Sequence, residues 1–190
     1  MTLDFEVTYR GKIIMIRELL IAASIIAAQS HVVLADDDPF GLAKSGKLEC
    51  FAPDIDKKTC LDISHYTWQP DGTVLMEDEM AVSTHPLISM MVKSLGTVEG
   101  SSACVTVAGY SLKNVTFFKE GMPMSEEESV NYLQTANSKN AKLLGKKVCM
   151  DISPIGSLFI TQFTVDDTPL PAATNRLKWI GADEGYVLAP

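Results

Sequence analysis

Ten consecutive residues, Leu19 to Ala28, are apolar except for Ser24, and Arg17 stands just before them. The run has no polar side, so an amphipathic surface helix is a poor reading of it. It is also short of the about 20 apolar residues with which a helix crosses a bilayer. Gln29, Ser30 and His31 follow in place of a stop-transfer cluster, and Val33-Leu34-Ala35 presents signal peptidase with a small final residue. The pattern predicts a leader of residues 1–35, with a signal peptide over 15–35 cut after Ala35. Residues 1–14 carry mixed charge (Asp4, Glu6, Arg10, Lys12) and add no export signature. No cysteine follows the cut to take a lipid, so the remainder is expected to be periplasmic or secreted, without stable membrane insertion.

Export decides how the cysteines are read. Cys50, Cys60, Cys104 and Cys149 all lie beyond the cut. An even count in an oxidising compartment favours disulfides over metal ligation or thiol catalysis. The segment between Cys50 and Cys60 carries Pro53 and the aspartates Asp54 and Asp56 and closes readily. Cys50–Cys60 is therefore the expected bond, and Cys104–Cys149 follows as the remaining pair. No Cys-x-x-Cys occurs, which sets zinc aside.

Residues 36–190 keep the whole formal charge of −8, because three acidic and three basic side chains cancel within residues 1–35. An acidic chain of this kind is not expected to bind nucleic acid, which requires clustered Lys and Arg. The one basic concentration, Lys139, Lys142, Lys146 and Lys147, falls near the end of a predicted helix, where cations favour the dipole. No Pro-, Gly- or Ser-rich linker divides the chain. Residues 36–46 are expected to form a flexible, solvated arm, and 47–190 a single disulfide-stabilised domain.

Within that domain, strands are predicted at 47–51, 60–68, 73–82, 87–93, 103–108 and 114–119 from their Val, Ile, Thr and aromatic content. Gln69-Pro70-Asp71-Gly72 makes the turn of a hairpin. The return strand places Val74, Met76, Met80 and Val82 on one side, with Asp78 among them at a bulge or in a pair. Ser125 and Glu128 form a capping box and open a helix over about 126–144, carrying Val130, Leu133, Ala136, Ala141 and Leu144 inward. Asn137 to Asn140 are poor helix formers and predict a bend or a split. Strands resume at 147–152, 157–165, 176–180 and 185–189. The fold class is α+β, a mostly antiparallel sheet with one helix packed on one face.

The chemistry-bearing residues are few. His65 and His85 are the histidines left after cleavage, and each has the chemistry of a general base, but no nucleophile in a recognisable context accompanies them. Glu77-Asp78-Glu79 reads as a solvated strand edge, because only Glu77 and Glu79 share a side. Met90, Met91, Met122 and Met124 with His85 suit a soft metal such as copper, and equally an adaptable apolar core or contact surface. No metal site and no cofactor is assigned.

The pattern Cys50-x-x-Pro53, Lys58-Thr59-Cys60, Tyr66, Asp71-Gly72, Cys104, Cys149 and the closing Gly185-Tyr186-Val187-Leu188-Ala189-Pro190 resembles small periplasmic proteins of unassigned function from alphaproteobacteria. The resemblance spans most of the domain and implies a compartment and a disulfide framework. It carries no activity and no catalytic residue. The expectation is a non-enzymatic binding or interaction protein using a sheet face or groove lined by Tyr66, Trp68 and nearby methionines, with His65 and His85 as further binding candidates and an unidentified protein or small molecule as partner. The alternatives are a small hydrolase built on His65 or His85, and a soft-metal carrier.

Overall fold

The computed structural model describes residues 38–170 and 175–189. The leader, its apolar run and the expected cut after Ala35 lie outside the described residues.

Strands form where apolar and polar side chains alternate, since successive residues of a strand face opposite sides. They are β1 (Leu48–Phe51), β2 (Thr59–Cys60), β3 (Asp62–Trp68), β4 (Val74–Thr84), β5 (Leu87–Glu99), β6 (Ser102–Thr106), β7 (Val115–Lys119) and β8 (Met122–Pro123), followed by β9 (Lys147–Ile155), β10 (Leu158–Val165), β11 (Thr168–Pro169), β12 (Asn175–Ile180) and β13 (Val187–Leu188). A one-turn helix α1 (Gly41–Lys44) precedes β1, and helix α2 (Glu126–Asn140) with a 3-10 turn at Ala141–Leu143 precedes β9.

The expected sheet closes on itself. β1, β3, β4, β5, β6, β9, β10 and β12 pair antiparallel in that order, and β12 returns to β1 through Leu48↔Ile180 and Phe51↔Leu177. The result is an eight-stranded up-and-down barrel, mainly β, in place of a sheet with a helix layered on one face. β4, with its Glu77-Asp78-Glu79, is flanked on both sides by β3 and β5 and is not the solvated edge expected of it.

β7, β8 and α2 make up one excursion between β6 and β9. The Cys104–Cys149 disulfide spans its base, where the two cysteines stand opposite each other in the ladder. Cys50–Cys60 ties β1 to β2 on the outside of the wall, in a small apolar patch with Ile63, Ile180 and Tyr186. In a chain-entropy account closing these loops contributes about 3 kcal/mol for the shorter and about 4 kcal/mol for the longer.

β5 is shared between two neighbours. Ile88 to Val92 pair with β7, and Gly96 to Glu99 pair with β6, while Ser94 and Leu95 pair on the β4 side alone. Gly96 marks the crossing, because a Cβ there would stand 2.3 Å from the Cys104 carbonyl oxygen.

One end of the barrel is filled by the segment expected to be a flexible arm. Phe40 is wholly buried and meets Tyr66 and Trp179 edge-on, with ring centroids 5.6 and 5.8 Å apart. Asp38 turns the chain inward by accepting the Phe40 amide at 3.0 Å and the Lys44 ammonium at 2.6 Å. A run of aspartates masks an aromatic anchor there.

The helix begins as expected, with the Ser125 hydroxyl accepting the Glu128 amide while the Glu128 carboxylate accepts the Ser125 amide. Its packed side agrees with the expected one at Leu133 and Ala136 and differs elsewhere. Tyr132, Leu133 and Ala136 lie against Met90, Val92, Val115 and Phe117, whereas Val130, Ala141 and Leu144 are exposed. Polar residues share the packed side because each finds a partner. The Ser129 hydroxyl donates to the Ser125 carbonyl, and Asn137 both accepts the Tyr110 amide and donates to the Tyr110 carbonyl.

Candidate functional site

Away from the aromatic end, the barrel interior holds a partly open cavity of about 200 Å³. Its wall is built by the inward residues of six strands. Phe51, Met76, Met80, Ala103, Val105, Val148, Met150 and Phe163 supply apolar surface, and Glu49, Asp62, Ser64, Tyr66 and Asp78 supply polar groups.

Register explains the convergence. Glu49 on β1 stands opposite Ser64 on β3, which stands opposite Asp78 on β4. Asp62, one inward position along β3, stands between Phe51 and Met80. Residues two apart on a strand share a side, so neighbouring strands deliver three carboxyl groups to one interior surface. Among the described residues no lysine, arginine or histidine pairs with any of the three.

Among the described residues, the donors that reach these groups are hydroxyls. Tyr66 donates to Glu49 Oε2, in a residue only 3% exposed. Ser64 donates to Asp62 at 3.4 Å and also lies within bonding reach of Asp78. One hydroxyl proton cannot satisfy two carboxylates.

This environment favours the neutral acids. Burial pushes Glu49 up to about 8, with the Tyr66 bond opposing and the charges of Asp62 and Asp78 adding to the rise. Burial and the neighbouring Asp78 push Asp62 up to about 8 as well, against the Ser64 bond. Asp78 is raised by burial, also against Ser64. The Tyr66 phenol is held well above its ordinary value by burial first and by the carboxylates around it. A positive group brought beside these acids would favour their ionised forms.

Two further spaces adjoin the cavity. One, of about 450 Å³, lies at the gap where β5 leaves β7 for β6, and shares Asp78, Met80 and Val105 with it. The other, of about 440 Å³, lies between α2 and the β4–β5–β7 sheet, and shares Met80.

Of the residues singled out from sequence, Tyr66 lines the cavity, and Trp68 packs at the aromatic end of the same interior, below the Lys44 ammonium. His65 faces outward, its Nδ1 at 3.6 Å from Glu77, which also binds Lys93 at 2.6 Å. His85 is exposed at the β4–β5 turn, bonded to the Thr84 hydroxyl at 2.8 Å. The structure does not bring Tyr66, Trp68, His65 and His85 to one surface. The methionine set separates too: Met90 and Met124 share the core under α2, Met91 occupies the other side of β5, and Met122 is 69% exposed. The sequence alone does not single out Glu49 or Asp62, and it marks Asp78 as a member of the Glu77-Asp78-Glu79 cluster and as an anomaly on an apolar side. That anomaly was the available signal.

Comparison of the chain with family models, with curated proteins and with solved structures finds no match.

Proposed function

We propose that the protein is a non-enzymatic binding protein of the periplasm or the extracellular space that holds one small molecule inside its barrel. The observation that carries this reading is the partly open cavity, apolar on most of its wall and bearing a few convergent polar groups. Binding sites for small molecules have that composition. A barrel of eight strands has an interior just wide enough for side chains to fill or for one small ligand, and here the side chains fill only one end. The two disulfides support an oxidising compartment, as does the likeness of the cysteine framework to small periplasmic proteins. His65 and His85 lie outside the cavity, so the hydrolase reading gains no support from it.

Native mass spectrometry of the protein isolated undenatured from its natural source tests the proposal. A bound organic molecule is expected, released on unfolding and absent from an Ala103→Phe variant, which fills the cavity. A bare protein that also takes up neither amine, alcohol nor fatty acid from a mixed library overturns it.

A further inference from the structure

We propose that the ligand is an elongated cationic amphiphile, a protonated amine whose head enters the acidic part of the cavity, on the side of β4 that carries Asp78, and whose hydrocarbon tail passes Met80 into the space under α2. This rests on reading the barrel as a small-molecule binder and names the class of molecule it takes.

The head is argued from complementarity. Glu49 is nine-tenths buried and more, lines the cavity, and among the described residues is bonded by one hydroxyl, that of Tyr66. Asp62 and Asp78 share a single hydroxyl. A buried carboxylate without a cation is costly, and an alkylammonium supplies three N–H donors and one positive charge. An anion would oppose the ionisation of these acids, whereas an ammonium favours it. A bare metal ion fits less well, because among the described residues no three carboxylates, histidines or cysteines stand close enough to share one. The remaining wall is hydrocarbon and thioether rather than the oxygen that a hard cation needs.

The tail is argued from continuity. Met80 is the residue common to the cavity, the gap beside β6 and the space under α2. Its unbranched side chain has several rotatable bonds and adapts to a guest without disturbing the strand. Past it, the space under α2 runs along Met90 and Phe117 and ends at a polar rim of Thr135, Lys139 and Asn140. From Asp78 to Val82, which also lines that space, the distance along β4 is roughly 13 Å at about 3.3 Å per residue. The cavity alone accommodates a short amine, and the added length selects a long one.

Isothermal titration of the oxidised protein with n-butylamine, n-decylamine, n-decanol and decanoate near neutral pH reads both halves. Decylamine is expected to bind at least ten-fold more tightly than butylamine and than decanol, with decanoate weakest. Asp78→Asn is expected to weaken decylamine at least ten-fold and leave decanol unchanged. Met80→Trp is expected to abolish the advantage of decylamine over butylamine. If that variant does not fold, affinity rising with chain length from butyl to decyl in the unaltered protein carries the same information. Equal binding of decanol and decylamine, unaffected by Asp78→Asn, overturns the cationic head while leaving the binding function standing. Equal binding of butylamine and decylamine overturns the tail path. Binding of none of the four overturns the cationic amphiphile and counts against the binding function as well.

Discussion

The two ends of the barrel interior are built from the same alternating strands and finish in opposite states. At one end Phe40, Tyr66 and Trp179 interlock edge to face and leave no space. At the other, three carboxyl groups and a set of methionines face an unfilled volume. The first arrangement maximises stability, since aromatic burial contributes several kcal/mol for each ring. The second sacrifices stability, because burying acids without cations costs free energy that packing elsewhere must offset. The same fold thus separates a structural end from a chemical one, and Tyr66 belongs to both.

Substitution at the aromatic end should have the largest effect. Phe40→Ala is expected to destabilise the protein by about 3–5 kcal/mol in urea unfolding, whereas Met80→Ala, which borders an existing space, should cost under about 2 kcal/mol. Similar losses at both positions would erase the distinction between the ends.

The acidic end should respond to pH. Glu49 and Asp62 bind protons in the folded protein up to about pH 8, and release them near their ordinary values when unfolded. Between those limits the folded state holds more protons than the unfolded one, so its stability falls as pH rises. The loss should begin above about pH 4 and be complete beyond about pH 8, on the order of 5 kcal/mol per group. Glu49→Gln should flatten the slope in denaturant titrations across that range while retaining an acceptor for Tyr66. An unchanged slope would mean that Glu49 is not one of the groups holding protons.

Smaller effects test the periphery. Ser125→Ala removes the helix cap and is expected to cost about 1 kcal/mol, localised to α2 in hydrogen exchange. His65→Ala, on an exposed surface cluster, should change stability by less than about 0.5 kcal/mol and leave ligand uptake intact.

Local features of this architecture were legible in the sequence, and long-range ones were not. The strand runs, the Gln69 to Gly72 turn, the capping box and the disulfide pairs follow from periodicity and side-chain chemistry within short windows. Barrel closure depends on β1 finding β12, more than 120 residues away in the chain, and no local pattern encodes that partner. The acids were obscured because each occupies an inward position among apolar neighbours, where alternation alone suggests a bulge or a surface. Asp78 looked anomalous for a sound reason: it is a charged residue type on the inward side of β4. Phe40 was obscured by the aspartates before it, whose polarity describes a solvated arm, although Asp38 in fact caps the turn that buries the ring.

The protonation of the interior acids can be observed directly by titrating the side-chain carboxyl carbons of Glu49 and Asp62 by ¹³C NMR, with and without n-decylamine. Midpoints near pH 8 in the free protein, dropping by at least one unit when the amine is bound, are expected. Midpoints near pH 4 in both states would show that water reaches these carboxylates freely and that no cation-accepting chamber exists.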